Sequence, residues 1–324
     1  MPRAVVIQNP KARRALSLAA LEGTLSVLGE GWETSVEATQ DAEGPRRLGR
    51  AAAQGGAAVV FACGGDGTLN GVINGVRESG RRDVAVGLIP AGTANVWALE
   101  AQIPRDPMSA VLLAKDGRTV DLDLGVVRTG DVERRFLLMC SFGFDAAVVR
   151  RVEQRAALKR RLAQGAFVVA GLEAAATERP VPIVAEWGAE RPERSVFLGV
   201  AGNSRLYGGV SRLTSDARMD DGLLDLALFE ARPGAVGIAD AAGHLARGAM
   251  AAMGGRGPMH ERRAARFEYQ RAPRFEFTTY APLSFQVDGE FLTTAEAGQR
   301  VSLESDPKAV RMLVSRAASP LFED

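Results

Sequence analysis

A chain of 324 residues, 46% hydrophobic and 24% charged, has the make-up of a globular protein and not of a disordered one; its length exceeds the ~250–300 residues that one core supports, so two domains are expected. Forty basic residues against 39 acidic ones, a formal net charge of +1, leave no global footprint for nucleic acid. Cys63 and Cys140, the two cysteines, are too few for a disulfide framework or a cysteine-built zinc site and fit a reducing, cytoplasmic setting.

The first third alternates strand-like and helix-like segments. Strand patterns at Ala4–Ile7, Trp32–Ala38, Ala57–Ala62 and Val84–Ile89 are separated by helical patterns near Ala12–Leu28, Gly44–Gln54 and Leu69–Val76, which predicts a parallel sheet covered by helices. Ligands bind at the carboxyl ends of strands in such sheets. Three strand ends carry informative loops: Gln8-Asn9-Pro10, then Gly64-Gly65-Asp66-Gly67-Thr68-Leu69-Asn70, then Pro90-Ala91-Gly92-Thr93-Ala94-Asn95. All three are expected along one edge.

From about Val120 the texture changes to β-branched and aromatic runs: Asp121–Arg128, Phe136–Cys140, Val181–Trp187, Ser195–Ala201, Leu223–Phe229, Phe267–Tyr269, Phe275–Thr279, Leu283–Val287 and Val301–Glu304. Many short strands with few helices predict an antiparallel sheet or sandwich, with the domain boundary near residue 125. One helical pattern, VVRRVEQRAALKRRL at 148–162, carries six basic residues against one acidic; it reads either as a solvated helix face or as a helix lying on an anionic membrane. The opening MPRAVVIQNP is expected to hold neither signal peptide nor membrane span, and no later apolar run reaches ~18 residues. Any membrane contact is therefore expected from the surface.

Glycines at 64, 65 and 67 remove side chains where a strand turns into a helix, so backbone N–H groups are able to approach an anion, with phosphate the natural occupant. Asp66 repels phosphate unless a divalent cation stands between them, which points to metal-bound phosphate; the alternative is a tight turn in which Asp66 is a cap. A dinucleotide fingerprint fails because Asn70 stands where its last glycine belongs, and the chain has no Gly-Lys-Ser/Thr of a P-loop. Thr93 and Asn95 offer hydrogen-bonding side chains on what would be a second wall of a nucleotide cleft. Asp288-Gly289-Glu290 reads as an Asp-Gly hairpin turn. His244 and His260 are too few for a metal triad.

Asn9-Pro10, Gly64-Gly65-Asp66-Gly67-Thr68-x-Asn70 and Pro90-x-Gly92-Thr93-x-Asn95, in that order and spacing, resemble the catalytic domain of the diacylglycerol, sphingosine and ceramide kinase superfamily, with the soluble bacterial lipid kinases the nearest likeness. Ser141-Phe142-Gly143-Phe144-Asp145-Ala146, Gly202-Asn203 with Tyr207-Gly208-Gly209, Asp220-Asp221-Gly222-Leu223-Leu224-Asp225 and Val287-Asp288-Gly289-Glu290 extend the likeness over nearly the whole chain. The resemblance implies a phosphofructokinase-like α/β nucleotide-binding domain over 1–125, a β-sandwich lipid-substrate domain over 126–305, an active site between them, and a return of residues 306–324 onto the first domain. It further implies ATP and Mg2+ as cofactors, a lipid acceptor at a membrane surface, with diacylglycerol as default, and no nucleic-acid partner. Asn9, Thr39, Gly65, Asp66, Gly67, Thr68, Asn70, Thr93 and Asn95 would line the ATP site, with Asp66 near the metal-bound phosphates. Glu290 or Asp288 would be the base, and a structural Mg2+ would map to Asp221 with the backbone carbonyls of Arg218 and Leu223.

Two departures stand out. Lys11-Ala12-Arg13 replaces the family's x-Ser-Gly after Asn9-Pro10, losing a hydroxyl and a glycine but adding two cations, and Val96-Trp97 follows Asn95 where the family often has aspartate. Trp97 is expected to pack in the core, not on adenine, and Cys63 to pack as a small hydrophobe. Sphingoid base, ceramide or monoacylglycerol kinases, an NAD kinase, which also uses a GGDG loop, and a non-catalytic nucleotide- or lipid-binding protein are the alternatives.

Overall fold

The computed structural model describes residues 1–154, 173–174, 177–187, 192–207, 212–230 and 267–316. Most of the 148–162 basic stretch, Gly208-Gly209, both histidines and the last eight residues lie outside this set. The contacts divide the chain into two compact units: unit 1 comprises 1–124, 219–221 and 307–324, and unit 2 comprises 125–218 and 222–306.

Unit 1 begins β1 (Arg3–Gln8), α1 (Leu18–Leu25), β2 (Glu33–Ala38), α2 (Gly44–Gln54), β3 (Val59–Gly64), α3 (Asp66–Glu78) and β4 (Ala85–Pro90), followed by α4 (Val96–Glu100) and α5 (Pro107–Asp116). The strands run parallel in the order β2, β1, β3, β4. Every residue of β3 and β4 is buried, which is why both read as unbroken apolar runs, as strands covered on two faces do. The edge strand β2 has no buried residue. Helix α1 starts at Leu18, capped by Ser17, well after the expected Ala12: the Arg14 N–H is drawn instead to Ala91 O at 2.9 Å, so residues 9–16 form a loop.

Helices α2 and α3 touch backbone to backbone. A methyl on Gly75 would stand 2.1 Å from Arg46 O, one on Gly71 2.7 Å from Pro45, and one on Gly49 2.9 Å from Val72 O. Glycine is required at this crossing, which Arg46 closes with an ion pair to Glu78 at 2.6 Å.

Strand β5 (Arg118–Thr129) leads into β6 (Val132–Phe136), β7 (Met139–Gly143), α6 (Phe144–Gln154), β8 (Val181–Ala185), β9 (Glu193–Gly202), β10 (Leu224–Glu230), β11 (Phe267–Ala272), β12 (Arg274–Thr279), β13 (Leu283–Val287), β14 (Glu290–Ala295) and β15 (Arg300–Val314). In unit 2 these pair antiparallel as β14-β13-β7-β9-β8-β12, with Arg300–Glu304 of β15 beside β12. Residues Arg311 and Met312 of β15 pair parallel with β4 in unit 1. The unit 2 core centres on Phe142, Phe277 and Phe285, with Phe142 ring centroids 5.1 and 5.4 Å from the other two. The Phe142 ring lies over a glycine: a Cβ on Gly199, its cross-strand partner, would stand 2.1 Å from the ring.

One expected strand, Phe136–Cys140, is two. The backbone breaks at Leu137–Leu138 because the N–H groups of Leu137, Leu138 and Met139 all bond the Asp288 carboxylate, at 2.9, 2.9 and 3.0 Å. Both Asn203 and Ser204 donate backbone N–H to Leu138 O, and Asn203 Nδ2 donates to Leu137 O at 2.8 Å.

Candidate active site

Registers Gln8↔Cys63 and Gly64↔Pro90 bring the three loops to one sheet edge, as the alternation led us to expect, and hydrogen bonds tie them together. Asn9 N donates to Cys63 O at 2.9 Å, its Nδ2 to Thr68 Oγ1 at 3.1 Å, and its Oδ1 accepts Lys11 N at 2.9 Å. Gly64 O accepts both Ala91 N and Gly92 N, at 2.8 and 3.0 Å. Asn95 sits in the left-handed region, φ 50°, a conformation asparagine tolerates, so that its Oδ1 accepts Gly92 N at 3.0 Å and its Nδ2 donates to Gly92 O at 3.2 Å.

The glycines are needed for close approach. A methyl on Gly92 would lie 2.4 Å from Gly65 Cα and 2.6 Å from Asn95 Oδ1, and one on Gly64 would lie 2.4 Å from Thr68 Oγ1. Helix α3 follows at once, its first intrahelical-type bond running from Leu69 N to Gly65 O at 3.0 Å. Its first-turn N–H groups lack helical acceptors by geometry and carry the positive end of the helix dipole. The cationic side chains of Lys11, Arg13 and Arg14 on the first loop are exposed.

Asp66 does not cap its own turn. Its Oδ2 accepts Val96 N at 3.0 Å and its Oδ1 accepts Trp97 N at 3.2 Å, so it caps α4, the start of which it fastens to the glycine loop. Burial pushes the Asp66 carboxyl above its ordinary value, against the downward pull of the backbone N–H groups around it. The two backbone amides after Asn95 are thus held by Asp66, while the Trp97 side chain is fully buried, as expected of a core residue. Thr39 and Asn70 are buried; Thr39 N donates to Gln8 O at 2.8 Å, and Asn70 Oδ1 accepts Asn74 Nδ2 at 3.0 Å. Thr93 is exposed. The thiol of Cys63 is buried, which raises its pKa to about 11, as suits a packing residue.

In unit 2, Asp288 and Gly289 are the two turn residues between β13 and β14, with φ 47° and 86°. Two consecutive positive φ values mark the hairpin turn whose twist matches the strands it joins, and Asp-Gly is among its preferred sequences. The carboxylate of Asp288 is occupied by the three N–H groups of 137–139. Glu290, next along, is exposed. Beside this hairpin lies a cavity of about 150 Å³ lined by Gly143, Arg150, Leu283, Ser284 and Thr294 among others.

The Asp220-Asp221-Gly222 segment is a turn with Gly222 at φ 74°. Among the described residues no three His, Cys, Asp or Glu side chains converge to hold a metal. Sequence reasoning passed over Asp123, a buried carboxylate in unit 1 whose Oδ1 accepts Lys308 N at 2.8 Å. Its Asp-Leu-Asp setting on a strand was the available signal.

Residues 3–127 match the diacylglycerol kinase catalytic domain and residues 139–314 match the YegS C-terminal NAD kinase beta sandwich-like domain. A diacylglycerol kinase of Staphylococcus saprophyticus is 27% identical over 290 residues, 89% of each chain. That of Staphylococcus carnosus is 29% identical over 229 residues, 70% of this chain and 72% of its own. Among solved structures, a diacylglycerol kinase from Bacillus anthracis str. Sterne aligns with TM-score 0.68 and 16% identity over 97% of both chains, a likeness of fold. With the glycine edge of unit 1, the antiparallel strands of unit 2 and both domain matches in hand, the chain belongs to the lipid kinase family that joins a diacylglycerol kinase catalytic domain to a YegS-type β-sandwich domain.

Proposed function

We propose that this lipid kinase transfers the γ-phosphoryl group of ATP to a lipid hydroxyl, with diacylglycerol as the acceptor and phosphatidic acid as the product. The observation that carries the nucleotide half is the crossing of Gly65 and Gly92, where a single Cβ would fill the space between the loops. It leaves bare backbone around the N-terminus of α3, where N–H groups suit the phosphates of a nucleotide. The acceptor comes from the names of the staphylococcal relatives.

Bound ATP supplies the phosphoryl group, and Mg2+ arriving with it neutralises charge on the phosphates. A magnesium ion travelling with the nucleotide would need no dedicated protein cage, because Mg2+ keeps several waters and takes one or two carboxylates plus phosphate oxygens. In this reading Gly65, Gly67 and Thr68 offer the phosphate-facing backbone and Thr93 a hydroxyl. Asn9, Thr39, Asn70 and Asn95 hold the loops around them. Asp66 contributes as the clamp on Val96 and Trp97, and its carboxylate would help to hold a phosphate-bound Mg2+. A structural Mg2+ on Asp221 with the Arg218 and Leu223 carbonyls belongs to the same proposal.

Transfer to a hydroxyl needs a carboxylate that takes the proton as the oxygen attacks. Since the carboxylate of Asp288 serves three amides, Glu290 takes that role. The enzyme meets its substrate from the cytoplasmic side, at the membrane surface, with the basic 148–162 stretch as the contact. The test is transfer of label from γ-labelled ATP to diacylglycerol in mixed micelles. Magnesium-dependent label in phosphatidic acid, lost in Glu290→Gln while ATP still binds, supports the assignment; near wild-type turnover in Glu290→Gln removes Glu290 from the mechanism.

A further inference from the structure

Strand β13 is buried along its whole length, unlike a strand with one wet face. Leu283, Phe285 and Val287 enter the aromatic core, and the alternate residues Ser284 and Gln286 therefore point the other way, the side on which α6 packs. A buried glutamine needs partners for its amide group. Gln286, 3% exposed, has them: its Nε2 donates to Ser141 Oγ at 2.6 Å and to Asp145 Oδ2 at 3.0 Å. Its Oε1 accepts Gly289 N at 2.8 Å. Ser141 in turn donates to Asp145, and the half-buried Tyr207 hydroxyl also bonds Asp145. Burial and this carboxylate together hold the Tyr207 phenol far above its ordinary pKa, as a neutral donor.

The turn is thus gripped on both sides, by the amides of 137–139 on Asp288 and by Gln286 on Gly289. Glu290 is the next residue. A register shift at Phe285/Gln286 marks a bulge, a device that re-aims side chains. Helix α6 adds two further ties just past the turn: Glu153 Oε1 accepts Phe291 N at 3.1 Å, and the Arg150 guanidinium lies over the Phe291 ring at 5.9 Å.

We infer that Gln286 and Asp145 are positioning residues for catalysis: through the Gly289 amide they fix the turn that aims the Glu290 carboxylate. This rests on the reading of Glu290 as the acceptor-activating carboxylate. The network joins segments at 141–146, 207 and 287–290 that are scattered along the chain, and Gln286, just outside those segments, links them.

Two measurements test it. Hydrogen exchange followed by mass spectrometry on the full chain reads the turn independently of chemistry: in Gln286→Leu, peptides covering 286–291 should exchange at least about tenfold faster, with the α3 peptides of unit 1 unchanged. Kinetics with diacylglycerol micelles should show kcat lower by about 10–100-fold, the size of effect that a small misplacement of a catalytic group produces, with the ATP KM within about twofold. The double variant Asp145→Asn/Gln286→Glu exchanges amide and carboxylate across one hydrogen bond and should restore kcat to within about threefold of wild type. Should Gln286→Leu fail to fold, Asp145→Asn alone replaces it, with the same expectations. Unaltered exchange at 286–291 overturns the positioning role whatever Glu290 does. Altered exchange with unaltered kcat, in an enzyme that Glu290→Gln inactivates, overturns it while leaving the base assignment standing. If Glu290→Gln is itself active, the underlying reading fails first.

Discussion

Gly65 and Gly92 meet backbone to backbone: a methyl group on Gly92 would stand 2.4 Å from Gly65 Cα. That contact locks two of the three loops at the phosphate edge, so Gly92→Ala should force them apart. The expected cost is about 1–3 kcal/mol of stability, as for other overpacked sites, and at least a tenfold loss of ATP affinity. Gly23→Ala is the control, since nothing lies within 4 Å of a methyl at this helical site. It should be stabilising by about 0.5–1 kcal/mol, with ATP affinity unchanged by calorimetry.

The Asp66 carboxylate spans to Val96 and Trp97, and Asp66→Asn puts an amide N–H against one of those donors. Faster exchange of the 91–97 backbone, together with roughly tenfold weaker ATP binding, is expected. Unchanged exchange with an altered magnesium titration would mean that Asp66 acts on the metal alone. Because the folded-state pKa of Asp66 is raised, its protonated form is the one that folding favours. Wild-type stability relative to Asp66→Asn should therefore be greatest below the unfolded value of about 3.9 and decline as pH rises through the folded value. Urea titrations across that window read the sign.

Asp288 and Glu290 stand two residues apart and should separate cleanly. Asp288→Ala orphans three backbone N–H groups, each worth about 1–3 kcal/mol when buried and unpaired, so the variant should be destabilised by several kcal/mol or fail to fold. Glu290→Ala, at an exposed position, should be destabilised far less than Asp288→Ala yet abolish turnover. Thermal melts of both variants beside the transfer assay check the distinction.

The return of β15 to unit 1 is clasped by Arg311, whose Nε lies 2.8 Å from Asp121 Oδ1. The guanidinium holds the Asp121 carboxyl below its ordinary range, so its stabilising effect is present above the unfolded value of about 3.9 and is lost as pH falls through the lower folded one. Asp121→Asn should cost about 0.2–1 kcal/mol at pH 7, the range for an exposed pair, and nothing once both states are protonated. Denaturant midpoints at pH 7 and below pH 3 make the comparison.

The parallel alternation, the three loop sites and the Asp-Gly hairpin were legible because each rests on neighbours in sequence: apolar period, strand ends, turn chemistry. The partners that give those sites their shape were not. Asp66 reaches 30 residues forward to Val96, and Asp288 reaches back about 150 to Leu137 and Leu138, distances over which no period or motif speaks. The split of Phe136–Cys140 into two strands follows from Asp288 rather than from anything local. Likewise the start of α1 slipped from Ala12 to Leu18 because Arg14 is tied to Ala91. Gly71 and Gly75 look like weak points of a helix until Arg46 and Pro45 are seen against them.

One assay tests the lipid kinase reading most directly. Label transfer from γ-labelled ATP with magnesium is followed in separate reactions on diacylglycerol, monoacylglycerol, ceramide and sphingosine micelles, and on NAD without detergent. Diacylglycerol should be labelled at least about tenfold faster than any other acceptor. Label on NAD with none on any lipid, or ATP binding with no transfer at all, would contradict it.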